Sequence, residues 1–190
     1  MKSLIEEAIV ENISVKEKLK DQIDIIEKIA KEAIKTIKNG GKIILFGNGG
    51  SAADAQHIAA ELVGKFNKVR DALPAVALTT NTSIITAVAN DASFEEIFAR
   101  QVQAIVADKD LVIGISTSGE SINVIKGILA AKEKGAKTVA LTGKGGGKLA
   151  TVSDISLIVP SDVTPRIQEA HITIGHIICE IIEKEIFRNK

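Results

Sequence analysis

Apolar side chains recur along this chain with two different periods. Over residues 1–39 they lie three and four positions apart, which predicts helix, and Asn39-Gly40-Gly41 supplies a stop. Ser14 and Glu17 have the spacing of a capping box, so two helices fit this region as well as one. The clearest apolar stripe comprises Ile23, Ile26, Ala30, Ala33, Ile34 and Ile37.

Beyond residue 40, short apolar runs alternate with helix-periodic segments such as Phe94–Val106 and Ile122–Lys134. Pro165 opens a last amphipathic helix, predicted from Arg166 to about Phe187. The apolar runs cover residues 42–46, 75–79, 110–115, 137–142 and 154–159. This alternation predicts an α/β fold, a three-layer α-β-α sandwich around a five-stranded parallel sheet.

We expect one domain over residues 1–190, with a helical arm at 1–39 and the sandwich at 40–190. The arm precedes the first strand and has no crossover to make. An apolar stripe on such a helix must be covered, so we predict that the arm serves oligomerisation.

Composition narrows the class of protein. The 190 residues are 45% hydrophobic, and 24 basic residues balance 24 acidic ones, so no global charge favours nucleic acid or an anionic membrane surface. The single Cys179 excludes an internal disulfide framework. The N-terminus lacks the apolar core of a signal peptide, and no apolar stretch approaches the ~20 residues that span a bilayer. These features predict a cytoplasmic protein without nucleic-acid or membrane partners.

The most informative segment is the first apolar run, which ends in Gly47-Asn48-Gly49-Gly50-Ser51 before a predicted helix at 52–64. A helix that starts at a glycine-rich turn can hold an anion. The turn fits the dinucleotide pattern G-x-G-x-x-A, but the second strand ends Ala77-Leu78-Thr79-Thr80 without the ribose-binding acid, which argues against NAD. A tight turn that needs glycine for backbone reasons alone is the alternative.

A second turn, Ser116-Thr117-Ser118-Gly119-Glu120-Ser121, follows the third run. Four hydroxyls at a helix N-terminus predict a phosphate site, whereas helix capping alone accounts for one or two. A nucleophile elbow would need glycine at Ser118, and a Walker A motif fails at Leu149. We interpret residues 143–147 as a flexible loop. Both turns follow parallel strands, so the predicted ligand is a phosphorylated small molecule.

Two histidines and their neighbours are candidates for chemistry. His57 and Glu61 are four residues apart and share a helix face, which suits two ligands of one metal or an acid and a base across one substrate; a solvated ion pair is the alternative. On the last helix, Gln168 and His176 reach one metal only with extended side chains. His171 lies on another face, which favours a structural or interface role.

Four blocks of this sequence resemble the sugar isomerase (SIS) family, and within it the sedoheptulose 7-phosphate isomerases. They are residues 47–52, Asn90-Asp91, residues 114–119, and Arg166-Ile167-Gln168-Glu169 leading to His176. The match covers nearly the whole chain, and the blocks keep the family order. One departure is Pro165, directly before the last block, where relatives carry another residue.

The resemblance implies a cytoplasmic homotetramer that converts sedoheptulose 7-phosphate to D-glycero-D-manno-heptose 7-phosphate through an enediol, at the entry to lipopolysaccharide-type heptose. It implies one zinc ion per subunit, held by His57, Glu61, Gln168 and His176, with proton transfer by Glu61 and His176. Phosphate would lie on Ser116, Thr117, Ser118 and Ser121. The sugar site, formed between subunits, would be lined by Asn48, Gly49, Gly50, Ser51, Asn90 and Asp91, together with Glu61 and Gln168.

Two other functions are compatible with the same fold. A non-catalytic SIS adaptor that binds the bacterial replication initiator protein would keep the glycine turn without needing the acid-base residues. All four of those residues are present here, which favours an enzyme. A sugar-phosphate-binding regulator would be expected to bring a DNA-binding segment with a basic face, and the sequence contains none.

Overall fold

The computed structural model describes residues 1–188, so the last two residues of the predicted domain lie outside it. The strands are β1 (Ile43–Gly47), β2 (Ala75–Ala77), β3 (Leu111–Ser116), β4 (Lys137–Thr142) and β5 (Ile155–Ile158). The helices are α1 (Lys2–Lys18), α2 (Ile23–Lys38), α3 (Gly50–Val63), α4 (Thr82–Asp91), α5 (Ile97–Ile105), α6 (Ile122–Glu133), α7 (Gly147–Val152) and α8 (Thr164–Ile186). All five predicted strands are therefore confirmed.

The five strands form one parallel sheet in the order β2-β1-β3-β4-β5. Successive side chains of β1 point to opposite faces: Ile43 and Leu45 belong to one apolar cluster, Ile44 and Phe46 to the other. Helices α2, α3 and α8 cover the first face, while α5 and α6 cover the second. The predicted three-layer α-β-α sandwich is confirmed.

The helical arm predicted for residues 1–39 is confirmed as two helices, but the capping box is not. The break falls at a 3₁₀ turn, Leu19–Gln22, and Ser14 lies inside α1, so the capping-box interpretation is wrong. The prediction assigns the apolar stripe on α2 to contacts with a partner subunit. Its members Ile26, Ala30 and Ala33 are instead buried in the cluster that covers the sheet, while Ile23 is exposed. The amphipathic pattern records burial but does not reveal which surface provides it.

Helix α1 leaves a row of apolar side chains exposed. Leu4, Ile5, Ile9, Val10 and Ile13 are each more than half exposed. Its other side is tied to the start of α8, where Arg166 Nη1 donates to the Ala8 carbonyl over 2.6 Å and Nη2 binds Glu169 over 2.7 Å. These side chains of α1, together with Ile23 at the start of α2, which is 59% exposed, are the part of the N-terminal region that still requires a partner.

The last helix begins two residues earlier than predicted, at Thr164, and Pro165 lies in its first turn. Backbone N–H groups in the first turn have no partner within the helix, so proline, which lacks one, is tolerated there. The departure at Pro165 is thus compatible with a regular approach to Gln168. Within the described range 1–188, no helix has both the length and the apolar character that crossing a membrane requires.

Candidate functional site

The two turns singled out in the sequence lie side by side at the carboxyl edge of the sheet. β1 and β3 are neighbours, and the chain goes from β1 to β2 on one side before returning to β3 on the other. This is the point at which the strand order reverses, and open α/β sheets bind ligands in the crevice there. The glycine turn, residues 47–50, follows β1, and the serine turn, residues 116–121, follows β3.

Glycine is required in the first turn because other groups approach its backbone closely. Gly49 has φ +55°, a conformation that favours glycine. A Cβ on Gly47 would lie 2.7 Å from the Ile115 carbonyl oxygen, and one on Gly50 would lie 2.5 Å from Nε2 of Gln168. The turn therefore brings the last helix against the first residue of α3.

Helices α3 and α8 pack together along their length. Ile58 fills the space beside Gly175, where a Cβ would lie 2.6 Å from Ile58 Cδ1. The small residue lets the helices approach, and the residues beside this contact, His57 and His176, meet edge to face with ring centroids 4.9 Å apart. Proximity of these histidines is a consequence of tertiary packing, since they are 119 residues apart in sequence.

His57, Glu61 and His176 form the central cluster. His57 Nε2 lies 3.1 Å from Glu61 Oε1 and 3.4 Å from His176 Nε2. Each residue offers one ligand atom, and these atoms lie within 4.8 Å of one another. The His57 and Glu61 side chains are 49% and 24% exposed, so the cluster remains accessible.

The donor set of this cluster fits a divalent metal. His57 Nε2 carries at most one proton, so it cannot both donate to Glu61 and accept from a protonated His176. A cation resolves the conflict by taking both imidazole lone pairs and the carboxylate. Zinc bonds of ~2.0–2.1 Å in tetrahedral geometry separate neighbouring ligand atoms by roughly 3.3 Å, close to the observed spacings. Two histidines and a glutamate also leave a coordination position open.

Gln168 lies against the glycine turn. Its side chain lies beside the backbone of Gly50. On α8, Gln168 precedes His176 by eight residues, which is about 12 Å along the helix. Three of the four predicted metal ligands, His57, Glu61 and His176, have ligand atoms within 4.8 Å of one another.

Two side chains that the sequence analysis did not select adjoin the cluster. The Phe66 ring centroid lies 5.7 Å from that of His176. Asp54, one turn before His57, has a buried Oδ2 without a hydrogen-bond partner among the described residues. Burial raises the pKa of Asp54 to about 6, while the nearby His57 acts to lower it.

The serine turn gathers three hydroxyls. Ser116 Oγ lies 2.9 Å from Ser121 Oγ and 3.5 Å from Ser118 Oγ, and Ser118 Oγ accepts from the Glu120 amide over 3.2 Å. Thr117 is half-buried beside them. Ser121 is the N-cap position of α6, so the hydroxyls lie where the helix dipole favours an anion.

The segment interpreted as a flexible loop supports this turn. The Gly143 amide donates to the Thr117 carbonyl over 3.2 Å, and a Cβ on Gly119 would lie 2.0 Å from the Gly146 carbonyl oxygen. Positive φ at Gly145 and Gly146 bends the segment against the serine turn. The glycine-rich sequence indicates that this segment needs an unusual backbone conformation, but it does not indicate that the segment packs against the serine turn.

An amide bridge joins the two turns. Asn48 Nδ2 donates to Asn123 Oδ1, and Asn123 Nδ2 donates to Asn48 Oδ1, both over 2.9 Å. Asn123 is buried, and its Oδ1 also accepts from the Val124 amide. Sequence reasoning placed Asn48 in the sugar site and missed Asn123, because nothing in one sequence indicates a pair 75 residues apart.

Asn90 and Asp91 lie elsewhere in the chain. They end α4, are exposed, and contact each other through Asn90 Nδ2 and Asp91 Oδ1 over 2.8 Å. Apolar residues of α4, including Val88, pack on the α5/α6 face of the sheet, opposite α3 and α8. The described chain does not bring them to the histidine cluster.

His171 has the structural role expected for it. It is fully buried, and Nε2 donates to the Thr142 carbonyl at the end of β4 over 3.1 Å. Burial lowers the pKa of His171 to about 4 against the raising effect of that bond. Nδ1 has no partner among the described residues, so a second proton there would be buried without an acceptor.

The fold and this site define a sugar isomerase domain, and the chain belongs to the SIS domain family, whose profile matches residues 10–143. A phosphoheptose isomerase from Aneurinibacillus thermoaerophilus is 52% identical over 193 aligned positions, covering 100% of this chain and 98% of that protein.

Two solved structures extend the similarity to three dimensions. The phosphoheptose isomerase from Neisseria gonorrhoeae gives a TM-score of 0.92 at 41% identity, covering 96% of this chain and 98% of that one. The enzyme from Francisella tularensis gives 0.93 at 38% identity, with 97% and 100% covered. The family resemblance drawn from the sequence is confirmed.

Proposed function

We propose that this protein is an aldose-ketose isomerase that converts sedoheptulose 7-phosphate to D-glycero-D-manno-heptose 7-phosphate through an enediol. The observation that carries the proposal is the convergence of a carboxylate and two imidazoles beside a hydroxyl-lined helix start, in a chain similar over its full length to phosphoheptose isomerases. A non-catalytic adaptor would not need this acid-base set, and it is not favoured.

The chemistry assigns distinct tasks to the two parts of the site. Ser116, Thr117, Ser118 and Ser121 hold the phosphate at C7, at the start of α6. His57 lies seven residues into α3, about 10 Å from its start, which suits a substrate with several carbons between phosphate and carbonyl.

Proton transfer is assigned to Glu61 and His176. Glu61 removes the proton from C1 of the ketose, the enediol forms, and a proton returns to C2. His176 moves a proton between the O1 and O2 oxygens. This reaction needs a base for the carbon-bound proton and an acid near it for the oxygens, and the 3.1 and 3.4 Å contacts of His57 with Glu61 and His176 keep both groups close to one point.

The metal is proposed to be zinc, held by His57, Glu61 and His176, with Gln168 as the fourth predicted ligand. When bound, it would polarise the substrate carbonyl as a Lewis acid. Metal analysis of the purified protein, with His176→Ala as comparison, tests this assignment. Stoichiometric zinc in the wild type and its loss in the variant are expected; equal zinc in both would contradict the ligand set.

We also propose a homotetramer with sites completed between subunits. The exposed apolar residues of α1, with Leu4 69% and Val10 58% exposed, need a cover, and Asn90-Asp91 lies on the opposite layer from the histidine cluster. Sedimentation should give a tetramer; an active monomer would contradict the proposal. A cytoplasmic location, without nucleic-acid or membrane partners, remains a prediction from composition.

Solvent deuterium tests the reaction itself. Incubation with sedoheptulose 7-phosphate in D₂O should give the aldose with deuterium at C2, detected by NMR, because an enediol exchanges its proton with solvent. Aldose formed without any deuterium at high conversion would indicate a hydride shift and contradict the role of Glu61. Absence of the aldose would contradict the proposed function.

A further inference from the structure

A buried ion pair lies directly behind the histidine cluster and belongs to none of the predicted site residues. Arg70 Nε binds Glu183 Oε2 over 3.1 Å, and the two side chains are 2% and 3% exposed. A buried pair of charges contributes little net stability compared with apolar residues of the same shape. We therefore look for the role of this pair in the backbone groups that it holds in place.

Arg70 holds the end of the helix that carries Glu61. Nη2 donates to the Glu61 carbonyl and Nη1 to the Leu62 carbonyl, each over 2.8 Å. These are among the last carbonyls of α3, which have no partners within the helix. A guanidinium that binds them fixes the backbone of Glu61, and with it the direction in which the carboxylate points.

Glu183 holds the segment that follows α3. Its carboxylate accepts from the backbone amides of Phe66, Asn67 and Lys68, over 3.2, 2.9 and 2.9 Å. Burial acts to raise the pKa of Glu183, but these bonds and Arg70 lower it below its usual value. The segment so fixed carries Phe66, whose ring lies against His176.

Glu183 lies on the same helix, α8, as His176, so the ion pair links the two helices of the histidine cluster. Glu183 follows His176 by seven residues, which places both on one face of the helix about two turns apart. Helices α3 and α8 are thus joined twice, through His57 and His176 at one level and through Arg70 and Glu183 at the next. The second connection sets the helix spacing that the first requires.

We propose that Arg70 and Glu183 are positioning residues that fix the distance and orientation between Glu61 on α3 and His176 on α8. This inference rests on the proposed isomerase function. It predicts that the pair acts on turnover and on metal affinity, not on phosphate binding, because the serine turn lies between β3 and α6 and no hydrogen bond joins it to the pair among residues 1–188.

The chain offers a matched control at the other edge of the sheet. Asp110 accepts from Lys42 Nζ over 2.6 Å and from the amides of Lys42 and Ala107 over 2.9 and 2.8 Å. This pair also joins a buried carboxylate to a cation and to backbone amides, but it precedes β1 and β3. Asp110→Asn therefore reports the general effect of weakening a buried pair.

The test compares Arg70→Lys and Glu183→Gln with Asp110→Asn. Lysine keeps the charge beside Glu183 but cannot also bind two carbonyls. We expect kcat to fall about 10- to 100-fold, the range in which small misplacements act, with KM within about twofold. Zinc affinity, from competition with a chromophoric chelator, should fall by about tenfold. Asp110→Asn should change neither kcat nor zinc affinity.

Equal kcat in Arg70→Lys and Asp110→Asn would overturn the inference while leaving the isomerase assignment intact. If the wild type does not isomerise the substrate, the proposed function fails, and zinc affinity alone decides on positioning. Circular dichroism checks folding. If neither variant folds, Glu183→Asp, which keeps the charge beside Arg70 but shortens the side chain by one methylene, carries the same comparison, and an unchanged kcat there overturns the inference.

Discussion

The turn after β1 and the turn after β3 occupy equivalent places in neighbouring strands, yet the helices that follow them present different chemical groups. The first leads into α3, which presents ionisable groups to solvent, His57 and Glu61, two and three turns from its start. The second offers neutral hydroxyls immediately at the start of α6. An anion needs donors and a dipole at the helix end, whereas proton transfer needs titratable groups deeper in the crevice.

Under the proposed function, one sheet edge would separate phosphate binding at the serine turn from proton transfer on α3. If the two functions are separate in this way, substitutions of the ionisable residues on α3 should lower kcat, and substitutions in the serine turn should raise KM. A connection between the turns should affect both parameters together. The following predictions test these consequences in order of decreasing expected effect.

Glu61→Gln should produce the largest change. The amide keeps the size of the side chain but removes its basicity, so kcat should fall by ~10² to 10⁴, the range for loss of a general base. KM should change little, because phosphate is held elsewhere. Steady-state kinetics measure both, and Glu27→Gln, an exposed change on α2, is the control. Retention of wild-type turnover would remove Glu61 from the mechanism.

Ser118→Ala with Ser121→Ala should have the opposite signature. Each hydrogen bond to a charged group contributes roughly 1.5–3 kcal/mol, so KM should rise by at least about tenfold while kcat changes little. The inhibition constant of inorganic phosphate should rise in parallel. Ser3→Ala, far away on α1, should behave as wild type. An unchanged KM in the double variant would contradict the phosphate site.

Asn48→Ala and Asn123→Ala test the bridge between the turns. Because each amide is the partner of the other, removal of the second should cost little after the first, and a double-mutant cycle on kcat/KM should give a coupling of about 1–2 kcal/mol. Ser156→Ala, bonded to the Ala150 carbonyl, should be additive with Asn48→Ala. Additivity of the asparagine pair would show that the turns act independently.

His171 holds α8 against the end of β4, next to the serine turn, and its effect should appear in stability. Its pKa lies at about 4 when folded against the ordinary 6.5, so between these values the unfolded chain binds the proton first. Its contribution is complete above pH 6.5 and is lost as pH falls toward 4, by about 1.4 kcal/mol per pH unit.

His171→Gln keeps an N–H donor near Thr142 but does not titrate. The stability difference between wild type and variant, from urea unfolding at several pH values, should therefore shrink as pH falls from 6.5 to 4. Asp54, whose pKa burial raises to about 6, acts in the opposite direction but is common to both proteins. A difference that does not vary with pH would refute the assignment of His171 as buried and neutral.

Several features could be predicted because they depend on neighbours in the chain. Each of the five apolar runs contains a strand, and the signal is plainest for β1 and β3, which are buried throughout and read as continuous apolar segments. The glycine and serine turns were recognised from local composition, and His57 with Glu61 from helical spacing. Conversely, the prediction that a partner subunit covers the stripe on α2 was wrong. Periodicity indicates that one face of a helix is buried, but it does not indicate which surface covers that face.

The sequence by itself determined the fold class, the two turns and the residue types available for chemistry, because secondary-structure periods and turn requirements are local. Only the tertiary structure decided which distant groups meet: His176 with His57 through the close approach at Gly175, Asn123 with Asn48, and Glu183 with Arg70. These contacts depend on helix spacing and strand order, which arise from packing of the whole core and leave no local pattern in the chain.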